Sequence, residues 1–310
     1  MINKVFKKFF FIGLLLITLS CLIQAQGLAV GKILTISGEV KLDPFGNDSF
    51  LQVVEPGEPI YKDSVIECGE DSSFDLLIMD QVYSFPQHST VSVTDFVELE
   101  TRKQNNRWFS PLVNMLQTIT GYMFPQEESV DLISRGDGKT TSFNSLFSFE
   151  EEGDEDSEFL VELDILFQNN RIDESGYTAS EYDYRMGFCY FQLGNYRDAA
   201  HLFDSSYNLI KEEQQLAGME EPHYLDSLYL MEGISNYMLA EYDDAVFFFE
   251  QYLDRNQDNE YVPYASWLMS DALISMRKHD RAQIYIEKAK DYFAEHELDA
   301  EFALFLESVQ

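Results

Sequence analysis

The spacing of apolar residues changes once along this chain, and that change limits the possible folds more than any other feature. From residue 28 to about residue 99 the apolar positions alternate, as they do in half-buried strands. Val30, Ile33, Thr35-Ile36, Val40 and Leu42 supply strand-type residues, interrupted by Gly31, Gly38 and Pro44-Phe45-Gly46. Further apolar runs at 51–54, 64–67, 74–79 and 90–97 are each bounded by Gly, Asp, Ser or Pro. Many short strands at this spacing predict a compact β module rather than a parallel α/β sheet. From Phe159 onward the period is helical. Helices are expected at 158–169, 182–193, 196–211, 224–239, 242–255, 261–276, 280–295 and 300–308. The fold class this predicts is a mainly β N-terminal module followed by an all-α helical repeat array, and 310 residues suit two domains.

Between the two patterns the signal is mixed. Residues 108–119 have a helical tone, with Pro111 limiting where a helix starts, and 130–134 reads as a strand. Residues 150–158 are a solvated acidic run and serve as a linker. The expected division is thus a targeting segment at 1–26, a β-rich domain with a mixed extension at 27–149, the linker, and a helical domain at 159–310.

The later helices come in pairs that repeat. Gly187, Tyr190, Gly194, Tyr196, Ala199 and Phe203 are echoed by Gly233, Tyr237, Tyr242, Ala245 and Phe249, offset by 46 positions. Ser270, Ala282, Ile286 and Ala289 give a weaker third copy, 37 positions further on. Small residues let two helices approach closely while aromatics fill the space between stacked pairs. These positions resemble the signature of the tetratricopeptide repeat, although the usual early Trp and closing Pro are missing from the first two copies. The resemblance covers about 130 residues. It implies stacked helical hairpins whose surface binds a segment of another protein.

The β module has a resemblance of its own. Val30-Gly31-Lys32-Ile33 followed by Ser37-Gly38-Glu39-Val40 resembles the opening of the FecR domain family. Val54-Glu55-Pro56-Gly57-Glu58-Pro59-Ile60, Tyr61-Lys62-Asp63-Ser64-Val65-Ile66, Asp71-Ser72-Ser73-Phe74-Asp75-Leu76-Leu77 and Pro86-Gln87-His88-Ser89-Thr90-Val91 are similar to its later segments, in order. The match spans roughly 70 residues and rests on small turn residues between strands. It implies an extracytoplasmic binding or scaffold domain. Sigma-factor regulation does not carry over, because that role needs a membrane helix and a cytoplasmic segment.

The first 26 residues read as an address. Lys4, Lys7 and Lys8 precede an apolar run at 9–19, and Ile23-Gln24-Ala25 places a small residue ahead of a cut before Gln26. Thr18-Leu19-Ser20-Cys21 also resembles a bacterial lipobox, so lipidation of Cys21 is the competing outcome and would anchor the protein in a membrane. An exported protein of the periplasm or cell envelope is expected. Cys68 and Cys189 fall in different modules and are expected as separate thiols. With 55 Asp plus Glu against 21 Lys plus Arg, the net charge of −34 repels phosphate backbones and excludes nucleic acid as a partner.

No catalytic constellation emerges. Asp137-Gly138-Lys139-Thr140-Thr141 lacks the Gly of a P-loop, since Ile133 holds that position. His88, His201, His223, His279 and His296 have no metal-ligand spacing and read as surface or cap residues. Neither a cofactor, a metal nor enzyme activity is expected. In Phe247-Phe248-Phe249 with Tyr252, three adjacent positions span too wide an arc for one buried face, so one ring should reach a groove or a neighbouring chain. The sequence therefore predicts an exported adaptor that binds a protein partner of the cell envelope through its repeats. Tyr182, Arg185, Ser235 and Asn236, on the first helices of two pairs, are the candidate lining of the partner groove. The alternatives are a cell-wall or small-ligand sensor acting through the β module, and a self-associating envelope component.

Overall fold

The computed structural model describes residues 29–46, 51–121, 177–217, 220–256, 259–294 and 298–309. The targeting segment with Cys21, the strand expected at 130–134, the loop at 137–141, the acidic linker, the helix expected at 158–169 and His296 lie outside them. Contacts divide the chain into two compact units: Met1–Tyr83 with Gln87–Val97, and Ser84–Pro86 with Glu98–Gln310.

The first unit is built from β1 (Gly31–Ser37), β2 (Val40–Asp43), β3 (Gln52–Val53), β4 (Pro59–Ile60), β5 (Val65–Cys68), β6 (Ser73–Ile78), β7 (Gln81–Phe85) and β8 (Thr90–Ser92). Among the described residues these strands form two four-stranded sheets, ordered β4-β1-β6-β7 and β3-β2-β5-β8. β1 pairs antiparallel with β4 and β6, and β5 pairs antiparallel with β2 and β8. The period of two turns alternate side chains inward: Phe74, Leu76 and Ile78 of β6 join Ile33, Val40, Leu42, Ile60 and Ile66 in the core. Tight turns separate the strands. Gly38 sits at φ 76° between β1 and β2, where Ser72 Oγ accepts the N–H of Glu39 at 2.8 Å. Cys68 and Cys189 are buried thiols, and burial pushes the Cys68 thiol up to about 12.

The alternation does not run on to residue 97, as the sequence suggests. β8 ends at Ser92, and α1 (Val93–Asn105) begins at the next residue. Val93, Phe96, Leu99 and Glu100 are its buried positions, a helical spacing that the β-branched start of the run conceals. α2 (Phe109–Gly121) follows, and then, among the described residues, seven more helices: α3 (Ala179–Gln192), α4 (Tyr196–Ala217), α5 (Leu225–Met238), α6 (Tyr242–Arg255), α7 (Val262–Ser275), α8 (His279–Phe293) and α9 (Asp299–Ser308). The β-then-α layout is thus as expected, and no described helix is long and apolar enough to cross a membrane.

α3 with α4, α5 with α6, and α7 with α8 pack as successive hairpins. Thr178 caps α3 by accepting the N–H of Glu181 at 3.1 Å, within a Thr-x-x-Glu capping sequence. The three hairpin turns are equivalent. The N–H groups of Asn195, Glu241 and Lys278 reach back to the carbonyls of Tyr190, Asn236 and Leu273 at 2.9, 2.9 and 2.7 Å. The residue before each is left-handed: Gly194 at φ 75°, Ala240 at 61° and Arg277 at 60°. Close approach is equivalent too. A Cβ on Gly187 would lie 2.9 Å from the Phe203 ring, and one on Gly233 would lie 2.7 Å from the Phe249 ring. α5 and α7 are buried nearly all round and occupy the interior of the array.

Residues 98–121, expected as an extension of the β module, belong to the helical unit instead. The Trp108 ring lies 5.7 Å from that of Trp267 in α7 and 5.2 Å from that of Phe305 in α9. Arg102 donates to the carbonyls of Tyr237 and Met238 at 2.9 and 3.3 Å, neutralising the C-terminal end of α5. Its guanidinium also lies over the rings of Phe109 and Tyr237 at 4.6 and 4.7 Å. Burial and the Trp108 contact, more than local propensity, explain why this segment joins the helices.

Candidate functional site

A groove of about 640 Å³ opens where the first hairpin meets the second. Arg197, Ala200, His201, Asp204 and Tyr207 of α4 form one wall, Glu232 and Asn236 of α5 with Leu239 the floor, and Glu241 with Asp244, Phe247 and Phe248 of α6 the other wall. Each contribution follows helical spacing. The sets 197/201/204, 232/236/239 and 241/244/248 each recur every three or four residues, so each lies on one helix face.

One side of the groove is aromatic. Phe247 and Phe248 meet edge to face at 4.9 Å, and Tyr207 lies 5.6 Å from Phe248. Phe247 is 42% exposed, whereas Phe248, Phe249 and Tyr252 are buried. The expected outlier of the Phe run is therefore Phe247, and it faces the groove.

The other side is carboxylate-rich. Arg197 pairs with Glu241 at 3.6 Å, and Asn208 donates to Asp204 at 3.2 Å. Glu232 differs from the rest. It is 1% exposed and its Oε2 has no hydrogen-bond partner. Burial, reinforced by the negative charges of Asp204 and Asp244 and opposed by Lys211, pushes its carboxyl up to about 10. At neutral pH the groove floor therefore carries a protonated acid. Lys211 does not sit on it; the Lys211 ammonium rests over the Tyr207 ring at 3.8 Å. Among the described residues no group of three or more His, Cys, Asp or Glu is placed to hold a metal ion.

Of the four residues expected on a partner surface, Asn236 is among the lining of this groove. Ser235, its neighbour on α5, is fully buried with no hydrogen-bond partner for its Oγ. Arg185 is buried on α3, bonded to Glu181 at 2.8 Å beneath the Tyr177 ring at 4.3 Å. Tyr182, also on α3, is half-buried and lies outside the lining. These three placements follow from how heavily α3 and α5 are buried, which presents most of their surface to neighbouring helices rather than to solvent.

Glu232, Asp204 and Asp244 were not singled out by sequence, yet a signal for Glu232 exists. Shifting it by the two repeat offsets gives Met186 and Met269, both buried. Two hairpins place a thioether where the middle one places a carboxyl. No family model, curated protein or solved structure matches the chain.

Proposed function

We propose that this protein is an exported, non-enzymatic scaffold of the bacterial cell envelope, which binds a protein partner through its helical array. The groove between the first two hairpins carries this reading. It is open, walled by aromatic rings with one ring exposed, and edged with carboxylates in a chain of net charge −34. Those are properties of a surface that holds a segment of another chain.

Two resemblances support the roles of the parts. The array is similar to tetratricopeptide repeats: three hairpins share one turn geometry and the first two share one glycine–phenylalanine contact. The β unit is similar to FecR domains. The turn residues carrying that likeness, Gly38, Gly57, Asp71 and His88, all adopt positive φ. Export rests on the basic and apolar pattern of the first 26 residues.

In-cell crosslinking followed by capture of the full chain, beside a version lacking 177–310, tests the proposal. One envelope protein enriched only when the helices are present is the expected result. Equal capture by both versions would move the function to the β unit and overturn the scaffold reading.

A further inference from the structure

Glu232 is a cost the array does not need for packing. Met186 and Met269 fill the equivalent places in the other hairpins, so an unbranched apolar side chain satisfies this position. The carboxyl adds a buried polar atom without a partner, in a position one residue from the close Gly233–Phe249 contact. Its surroundings suit a visitor with positive charge. Asp204 and Asp244 reinforce it from the helices on either side, and the rings of Tyr207, Phe247 and Phe248 offer apolar surface within the same groove.

Resting on the scaffold reading, we propose that Glu232 anchors a lysine or arginine side chain of the partner segment, whose cationic head enters between Asp204 and Asp244 while its alkyl stem lies along the aromatic wall. A divalent cation is the poorer fit, because the described residues provide no cluster of three metal-type ligands. A basic segment also matches the sign of the chain's net charge.

The proposal has a proton signature. In the free protein burial keeps Glu232 protonated, up to about 10. The groups facing it are Asp204, Lys211, His201 and Arg197 from α4, and Asp244 and Glu241 from α6. An arriving ammonium or guanidinium stabilises the charged carboxylate, so Glu232 gives up its proton to solvent as the cation seats.

Selection from a displayed library of random twelve-residue peptides on the full chain, beside Glu232→Met and Glu232→Gln, tests this. The wild type is expected to enrich peptides with lysine or arginine at one fixed position, and Glu232→Met to lose that preference. The best peptide should bind either variant at least tenfold more weakly. Replacing its fixed lysine or arginine with norleucine should cost the same in the wild type and little in Glu232→Met. Calorimetry in buffers of different ionisation heat should show about one proton released by the wild type near pH 7 and none by Glu232→Gln. Both variants should melt no lower than the wild type, which separates lost binding from lost folding. Enriched peptides without a fixed basic position, or the same peptides on Glu232→Met, would overturn the cation anchor and leave the scaffold intact. Enrichment of nothing by either protein would overturn both.

Discussion

A single carboxyl in the wrong solvent makes a stability statement as well as a binding one. The Glu232 carboxyl ionises at about 10 in the folded chain and near its ordinary value of 4.5 once unfolded. Between those values the folded state holds more protons, so stability falls as pH rises, by at most about 1.4 kcal/mol for each pH unit. The melting temperature of the wild type should therefore be higher near pH 5.5 than near pH 8.5. Glu232→Met should melt above the wild type at pH 8.5 and flatten the profile. Burial also raises the carboxyls of Asp183 and Asp271, which act on stability with the same sign. A steeper slope in the variant would be incompatible with this origin. At this scale the sequence indicated that one ring of the Phe run would be exposed, because the arc covered by three adjacent rings is fixed by helix geometry alone, but not that it would be Phe247. It was less informative about Glu232: an acid on a helix ordinarily means solvent, and only the Met186 and Met269 equivalence marks it as buried. Arg185 shows the reverse limit, since a guanidinium paired with Glu181 and covered by Tyr177 gives no sequence sign that it is interior.

Among the elements, the hairpin turns were legible where glycine marked them and obscure where it did not. Gly194-Asn195 announces a left-handed cap, whereas Ala240 and Arg277 adopt the same conformation with a Cβ in place. Holding a non-glycine residue there costs about 1 kcal/mol. Both positions are exposed, so no packing is lost on substitution. Ala240→Gly and Arg277→Gly should each raise unfolding free energy by about 0.5–1 kcal/mol, read as a higher urea midpoint at unchanged slope. A drop in either midpoint would show that these residues are not strained. Helix α1 escaped notice for a different reason. Its first residues follow a real strand without a break, and Val93 and Thr94 favour extended structure until Phe96 and Leu99 establish a helical face. Six of the seven later helices lie within three residues of their expected bounds, because each repeats its apolar face over three turns or so, whereas α4 runs six residues past its expected end at 211.

For the whole molecule, the β-then-α order was readable from the change of period, but the boundary between the units was not. Residues 98–121 have weak local signals, and their assignment depends on rings far along the chain: Trp108 meets Trp267 and Phe305, while Phe109 lies 6.2 Å from Tyr237. A fragment spanning 98–310 should therefore melt cooperatively, and one spanning 177–310 should melt lower or self-associate through the uncovered rings of Trp267 and Phe305. Trp108→Ala should cost about 3–5 kcal/mol in the longer fragment. Identical melting of the two fragments would remove the covering role assigned to this segment. Trp108 also has a place in time. A ribosome releases it 159 positions before Trp267 and 197 before Phe305. Until α9 emerges, that indole lacks the Phe305 ring. A chain that stops before α9 therefore leaves to water the indole surface that Phe305 covers.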